Sequence, residues 1–274
     1  MSNKILKIKN ISVSNDLPIV LIAGPCQLES LNHSRKIVEA LCGISQKLDV
    51  KLIFKGSFDK ANRTSLKSQR GVGIEEGLTI LDKIKSEFKC PVLTDVHEPE
   101  QCIRTSEVVD VIQIPAFLCR QTDLLIAAGN TGKVLNVKKG QFLAPNDMTY
   151  IAEKISSVGN KNIMLCERGT SFGYHNLVND FRSIPIMAET GYPIVFDATH
   201  SVQLPGGSNG SSGGHRKFVP TLSRAACAVG VAALFVETHD EPDRAPSDGP
   251  NMIPLSEMEL LMSKVKTIDN LIKS

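Results

Sequence analysis

Ile19-Val20-Leu21-Ile22-Ala23-Gly24-Pro25-Cys26-Gln27-Leu28-Glu29-Ser30 is a short apolar run that stops at Gly24-Pro25 and delivers a thiol. A run of five or six apolar residues is too short for a helix and, lacking alternation, reads as a strand covered on both faces. The same unit returns at residues 51–56, 92–96, 111–115, 134–139, 163–168, 194–199 and 233–238, making eight runs. Segments with helical spacing lie between them, at 31–48, 74–88, 99–108, 122–129, 147–158, about 178–190 and 221–229. A last helix at 255–272 follows Pro254, with Ser256 as its expected N-cap.

Strands that alternate with helices pair in parallel through right-handed crossovers, and eight such units close a TIM (β/α)8 barrel. An open doubly wound sheet is the alternative, but it usually carries a Gly-rich dinucleotide turn after its first strand, and Gly24-Pro25-Cys26 contains no GxGxxG. Residues 4–13 alternate polar and apolar, which predicts a short β-hairpin plugging the barrel. The expectation is therefore one domain over residues 1–274, with the hairpin in 1–18 and the barrel in 19–274. The Gly/Ser-rich stretch 205–214 reads as a mobile lid between strand seven and helix seven, because strand eight must still follow it.

With 31 Lys and Arg against 29 Asp and Glu, the net charge of +2 carries no global signature of a nucleic-acid or membrane-surface protein. Any anion site must be local. The seven cysteines form no CxxC, the N-terminus has no signal-peptide pattern, and no apolar run approaches the roughly 20 residues that span a bilayer. A reduced, cytoplasmic protein is expected.

Function in such barrels sits at the C-terminal ends of the strands. There the chain offers Cys26, Lys55, Lys60, Arg63, Asp95, Gln113, the Ala116 amide, Lys138, Arg168, His200, Glu237 and Asp248. Lys55, Lys60, Arg63, Lys138 and Arg168 would each pass for a surface residue alone. Gathered around one mouth they repel one another unless anions compensate, which calls for phosphorylated or carboxylated ligands. Cys26, His200, Glu237 and Asp248 come from strands one, seven and eight, which become neighbours when the barrel closes. One thiolate, one imidazole and two carboxylates suit Zn²⁺, Fe²⁺ or Mn²⁺. His97-Glu98 and His239 compete for that role but stand outside the sector or at the strand's limit, and the other cysteines read as packing residues.

Longer motifs narrow this further. Gly24-Pro25-Cys26, Phe54-Lys55-Gly56-Ser57-Phe58-Asp59-Lys60-Ala61-Asn62-Arg63, Thr94-Asp95-Val96-His97-Glu98, the run from Gln113 to Leu124, Asn136-Val137-Lys138-Lys139-Gly140-Gln141-Phe142, Glu167-Arg168-Gly169 and Asp197-Ala198-Thr199-His200-Ser201 resemble the 3-deoxy-D-manno-octulosonate 8-phosphate synthase family. The resemblance runs from about Val20 to the final helix. It implies condensation of phosphoenolpyruvate with arabinose 5-phosphate in a homotetramer of barrels. By this resemblance Lys138, Arg168 and the Ala116 amide hold the phosphoenolpyruvate phosphate, while Lys55, Lys60 and Gln113 serve its carboxylate and nearby oxygens. Asn62 and Arg63 match positions for the sugar phosphate, Ser57 lies in the same substrate-binding motif, and Arg120 matches one reaching a neighbouring subunit's sugar phosphate. Lys60, Asp95, His200 and Asp248 are the expected catalytic residues, Lys60 as a proton donor. Family members with Cys at the position of Cys26 need a divalent metal and members with Asn do not, so this chain is similar to the metal-dependent branch. The sister heptulosonate synthase typically reads Lys-Pro-Arg where this chain has Lys60-Ala61-Asn62-Arg63. That enzyme, and a non-catalytic barrel that senses sugar phosphates, are the rival readings.

Overall fold

Period-two alternation along parallel strands sorts the buried side chains of this protein into two cores, one inside a barrel and one between barrel and helices. The computed structural model describes residues 3–63, 65–66, 68–208 and 211–274. Two antiparallel strands come first, β1 (Leu6–Ile8) and β2 (Ile11–Val13). There follow β3 (Val20–Gly24), α1 (Leu31–Leu48), β4 (Leu52–Lys55), α2 (Ile74–Phe88), β5 (Val92–Asp95), α3 (Pro99–Val108), β6 (Val111–Ile114) and α4 (Thr122–Asn130). The second half contains β7 (Val134–Lys138), α5 (Met148–Ser156), β8 (Ile163–Glu167), the short pair β9 (Thr170–Ser171) and β10 (Leu177–Val178), α6 (Ser183–Ala188) and β11 (Ile194–Asp197). It ends with the hairpin β12 (Gln203–Ser208) and β13 (Ser211–Gly214), α7 (Val219–Val229), β14 (Ala233–His239), β15 (Ile253–Pro254) and α8 (Met258–Ile272).

Strands β3 to β8 pair in sequence order, β11 joins β8, and β14 pairs with both β11 and β3. That last double pairing closes the eight-stranded parallel barrel. Val20, Ile22, Ile53, Leu93, Val111, Val134, Met164, Val195, Ala233 and Phe235 fill its interior, and Leu6, Ile8, Ile11 and Val13 of the hairpin share the same cluster. The hairpin is thus the expected plug. Intervening residues such as Leu21, Phe54, Ile112, Leu135 and Leu165 point outward and pack on the helices. Helix α1 shows why: Ser30 caps its first turn by accepting from the His33 amide, and Ile37, Val38 and Leu41 form its buried stripe.

Four helices begin elsewhere than the sequence predicts. Residues 178–182 are not helical, since Leu177–Val178 pairs with Thr170–Ser171 and only Ser183–Ala188 winds as α6. Pro145–Asp147 and Leu255–Glu257 form 3₁₀ turns before α5 and α8, so Ser256 lies inside a turn and caps nothing. Helix α7 starts two residues earlier than expected, at Val219, with Pro220 in its first turn where no amide is needed. Residues 205–214, read as a lid, lie mostly in the antiparallel β12–β13 hairpin, with Gln203 opposite Gly214 and Leu204 opposite Gly213; Asn209 and Gly210 lie outside the described residues. No helix among the described residues is long and apolar enough to cross a membrane.

The first strand explains its own ending. A Cβ built on Gly24 would stand 1.9 Å from the Lys55 carbonyl oxygen, backbone that cannot swing away. Gly24 thus lets β3 and β4 approach where Cys26 and Lys55 leave the sheet. Gly24→Ala is expected to lower stability by about 3 kcal/mol, seen as a fall in the urea midpoint; an unchanged midpoint would contradict this reading of the contact.

Candidate active site

Inside the barrel the apolar filling gives way to polar groups one pleat below the C-terminal rim. Lys55 follows Ile53, Asp95 follows Leu93, Gln113 follows Val111, Lys138 follows Asn136, Asp197 follows Val195 and Glu237 follows Phe235. All six are buried. Asp95, Gln113, Lys138 and Glu237 line a cavity of about 430 Å³, whose walls also include Lys60, Arg63, Arg168, His200, Gln203 and Asp248.

Buried charges need partners, and two of the five expected cations find them in the protein itself. The Lys55 ammonium, 1% exposed, sits 2.6 Å from Glu237 Oε1 and also donates to the Pro25 and Cys26 carbonyls. It therefore lies beneath the cavity, where the sequence placed it beside a substrate carboxylate. Lys138 Nζ is 2.6 Å from Asp197 Oδ2 and 4.0 Å above the Phe235 ring, and it lines the cavity. Lys60 reaches the cavity while donating to Ser57 Oγ at 2.9 Å; Ser57 itself is buried behind it. Arg63 is taken up largely by the loop before Asp248, donating to Ser247 Oγ at 2.7 Å, Gln27 Oε1 at 2.8 Å and the Pro246 carbonyl.

Arg168 is different. Its guanidinium is buried and donates from Nη2 to Gln203 Oε1 at 2.8 Å, while Nε and Nη1 have no partner among the described residues. Burial lowers its proton affinity, against Asp197 and Asp248, which raise it. A buried guanidinium with unpartnered N–H groups, on a residue that lines a polar cavity, suits an oxyanion. Lys138, Gln113 and Ala116 line the same cavity. Asn62 lies at its exposed edge, and Arg120 is exposed and outside it.

Asp95 and His97 form a further unit, Nε2 to Oδ2 at 3.1 Å, with Asp95 Oδ1 and His97 Nδ1 left unpartnered. Burial would raise the Asp95 carboxyl, but Lys60, His97 and Lys55 hold it well below the usual range. Glu98, by contrast, is exposed at the start of α3. Cys26, Glu237 and Asp248 each bring one donor atom within 4.8 Å of the others. Cys26 Sγ is 3.2 Å from Asp248 Oδ2, and His200 Nε2 stands 3.6 Å from Glu237 Oε2 and 3.8 Å from Asp248 Oδ2. Three observations fit this group to a divalent cation. Glu237 Oε2 is buried without a hydrogen-bond partner. Burial, followed by Glu237, pushes the Cys26 thiol up, so a local positive charge is what would make it a thiolate. Asp248 is held in the left-handed region, φ 52°, a conformation that a non-glycine residue adopts at some cost. His200 is oriented from behind by Asp197, Nδ1 to Oδ2 at 2.8 Å, in the way a supporting carboxylate directs a ligating imidazole.

The sequence reading passed over Asp197 and Gln203. Strand parity could have found Asp197, two residues beyond inward Val195, whereas nothing local marked Gln203, which accepts from Arg168 and donates to Asp248 Oδ1 at 3.0 Å.

Barrel, buried guanidinium and adjoining sulfur–oxygen donor set together define an enzyme of the (β/α)8 class that handles anionic substrates at the strand ends. Residues 3–274 match the model of the DAHP synthetase I family, and the chain belongs to that family. It is 60% identical over 271 residues to the 2-dehydro-3-deoxyphosphooctonate aldolase of Granulibacter bethesdensis, covering 99% of this chain and 96% of that one. Proteins of the same name from Brucella anthropi and Brucella ovis are 58% and 56% identical, over 99% and 100% of this chain and 98% and 99% of theirs. These relatives bear out the octulosonate-type resemblance of the motifs.

The floor of the site carries a pH dependence. Burial would raise Glu237, but Lys55, His200 and Lys60 bring it from 4.5 down to about 2. A depressed carboxylate contributes stability that is full above its unfolded value and lost as pH falls through its folded one. In metal-free protein the stability difference between the wild type and Glu237→Gln should therefore shrink as pH drops from about 4.5 to about 2, measured by urea unfolding at each pH.

Proposed function

We propose that this enzyme condenses phosphoenolpyruvate with D-arabinose 5-phosphate and water, giving 3-deoxy-D-manno-octulosonate 8-phosphate and inorganic phosphate, a step in the Kdo branch of lipopolysaccharide biosynthesis. The observation that carries the reading is Arg168, a buried guanidinium with two unpartnered nitrogens on a cavity also lined by Lys138. The names of the relatives supply the product class.

In this reading Arg168, Lys138 and the Ala116 amide bind the phosphoenolpyruvate phosphate, with Lys60 and Gln113 on its carboxylate. Lys55 acts at one remove, by holding Glu237 and the Cys26 backbone in place. Asn62 and Arg63 lie at the cavity edge for the sugar phosphate, and Arg120 serves a neighbouring subunit's site in a homotetramer. Holding both substrates in line supplies about 7–11 kcal/mol of the barrier when the geometry is good. Bond formation joins the enol carbon to the sugar aldehyde carbon, and Lys60 delivers a proton to the resulting alkoxide. Water adds to the adjacent carbon and surrenders a proton to Asp95, whose unpartnered Oδ1 is oriented by the Asp95–His97 contact. Collapse of the phosphorylated hemiketal then expels phosphate and leaves the keto acid.

Cys26, His200, Glu237 and Asp248 would hold Zn²⁺, Fe²⁺ or Mn²⁺, in keeping with the resemblance at Cys26 to the metal-dependent branch. Such an ion supplies Lewis-acid polarisation of the aldehyde or water oxygen. Seven free cysteines agree with a reduced, cytoplasmic setting.

Phosphate release is expected with phosphoenolpyruvate and arabinose 5-phosphate, and much more slowly with erythrose 4-phosphate. Faster turnover of the four-carbon sugar would move the assignment to the heptulosonate reaction, and no release with either would favour a sugar-phosphate sensor. Arg168→Ala should weaken phosphoenolpyruvate binding roughly 10- to 100-fold, the loss of charge-assisted hydrogen bonds; unchanged affinity in calorimetry would remove Arg168 from the phosphate site. Chelation should abolish wild-type turnover, while Cys26→Asn should keep measurable turnover that chelator no longer affects.

A further inference from the structure

A second group of metal-type donors stands outside the active-site cavity, where the start of α1 meets the end of β14. Glu29 precedes the Ser30 cap, His33 lies in the first turn of α1 and His239 ends β14. One donor atom from each lies within 4.8 Å of the other two. The two imidazole rings are 4.6 Å apart at 44°.

Their nitrogens are sorted between two carboxylates. His33 Nε2 and His239 Nδ1 each lie 3.1 Å from one oxygen, Asp240 Oδ1. The opposite nitrogens, His33 Nδ1 and His239 Nε2, face Glu29 Oε1 at 3.8 Å and 2.8 Å. Lys36 occupies the other Asp240 oxygen at 2.5 Å. A carboxylate behind a histidine fixes its tautomer and aims the remaining lone pair at a metal. Here Asp240 stands in that position behind His33, while at His239 the same oxygen is at ion-pair distance from Nδ1. His33 Nδ1 is also buried without a hydrogen-bond partner. With Nε2 donating to Asp240, its lone pair faces the Glu29 carboxylate, a repulsive contact that a cation between them converts to attraction.

We propose that Glu29, His33 and His239 form a second divalent-cation site, with Asp240 orienting the His33 imidazole. Ligands of tetrahedral Zn²⁺ stand roughly 3.3 Å apart when bond lengths are about 2.0–2.1 Å, and the 2.8 Å and 3.8 Å separations bracket that spacing. Two imidazoles and one carboxylate suit Zn²⁺ or Co²⁺, and the 33% exposure of Glu29 leaves a water-accessible fourth position. The site shares no residue with the Cys26 group. Its ion would fasten α1 to the segment that runs from β14 towards Asp248.

The competing arrangement is a hydrogen-bonded network without an ion. The Glu241 amide lies 2.9 Å from His239 Nδ1; donating there, it sends the His239 proton to Nε2 and on to Glu29, leaving no ligand on that ring.

Titration of metal-free full-length protein with Co²⁺, followed by absorbance, separates the sites, because only a thiolate ligand adds a near-ultraviolet charge-transfer band. Cys26→Ala is expected to retain one equivalent of Co²⁺ per chain, with visible bands but no charge-transfer band. Adding His33→Ala, or the gentler His33→Gln, should remove that equivalent. His33→Ala alone should keep the thiolate band and turnover while its stoichiometry falls by one. A Cys26→Ala protein that binds no Co²⁺, or an equivalent that survives both His33 substitutions, would overturn the proposal. A wild type lacking the charge-transfer band while losing its one equivalent in His33→Ala would instead fault the Cys26 group and leave this site standing.

Discussion

The ion pair between Lys55 and Glu237 holds the functional end of the barrel together. Both side chains are removed from water, at 1% and 0% exposure, and the Lys55 ammonium also takes the carbonyls of Pro25 and Cys26. One cation thereby ties the end of β3 to β4 and β14. Desolvating two charges is expensive, so such a pair survives only where further hydrogen bonds satisfy it, as these carbonyls do. Its second effect is on the carboxylate. With Oε1 held by Lys55, Glu237 leaves Oε2 buried and unpartnered beside His200. The same residue closes the floor and offers the donor atom.

The alternation of strand residues is what made much of this legible in advance. Strand identity is local: five or six apolar residues that end in Gly-Pro, Lys or Asp announce a buried strand wherever they occur; seven of the eight barrel strands fall within the expected stretches, and β14 runs one residue past its own, to His239. Closure then follows from their number. Direction is also local, since each inward residue fixes the next at two positions further on. Applied to β11, that rule places Asp197 on the floor beside Lys138, yet a reading confined to the last residue of each run stops at His200.

What was not legible depends on contacts between distant segments. Nothing in sequence pairs Lys55 at the end of β4 with Glu237, 182 residues later, whose carboxylate the fold brings to 2.6 Å from its ammonium. The Gly/Ser-rich stretch after β11 looks like an unstructured lid because its strand pairing uses backbone groups that carry no side-chain signature. Leu177–Val178 has helical neighbours in sequence, but pairing with Thr170–Ser171 overrides them. Glu29 and His33 read as an ordinary helix start until the fold brings His239 and Asp240 against them.

Charge balance also explains why five cations around one mouth call for fewer ligand charges than their count suggests. Glu237 neutralises Lys55, Asp197 neutralises Lys138, and Arg63 spends its donors on Ser247, Gln27 and the Pro246 carbonyl. Among the described residues, Arg168 keeps two nitrogens without partners and its side-chain hydrogen bond runs to Gln203. Gln203 passes that contact on to Asp248 Oδ1. One amide thus contacts both the Arg168 guanidinium and the Asp248 carboxylate. The residue that joins Arg168 to Asp248 is therefore uncharged: it links a guanidinium to a carboxylate without cancelling either charge.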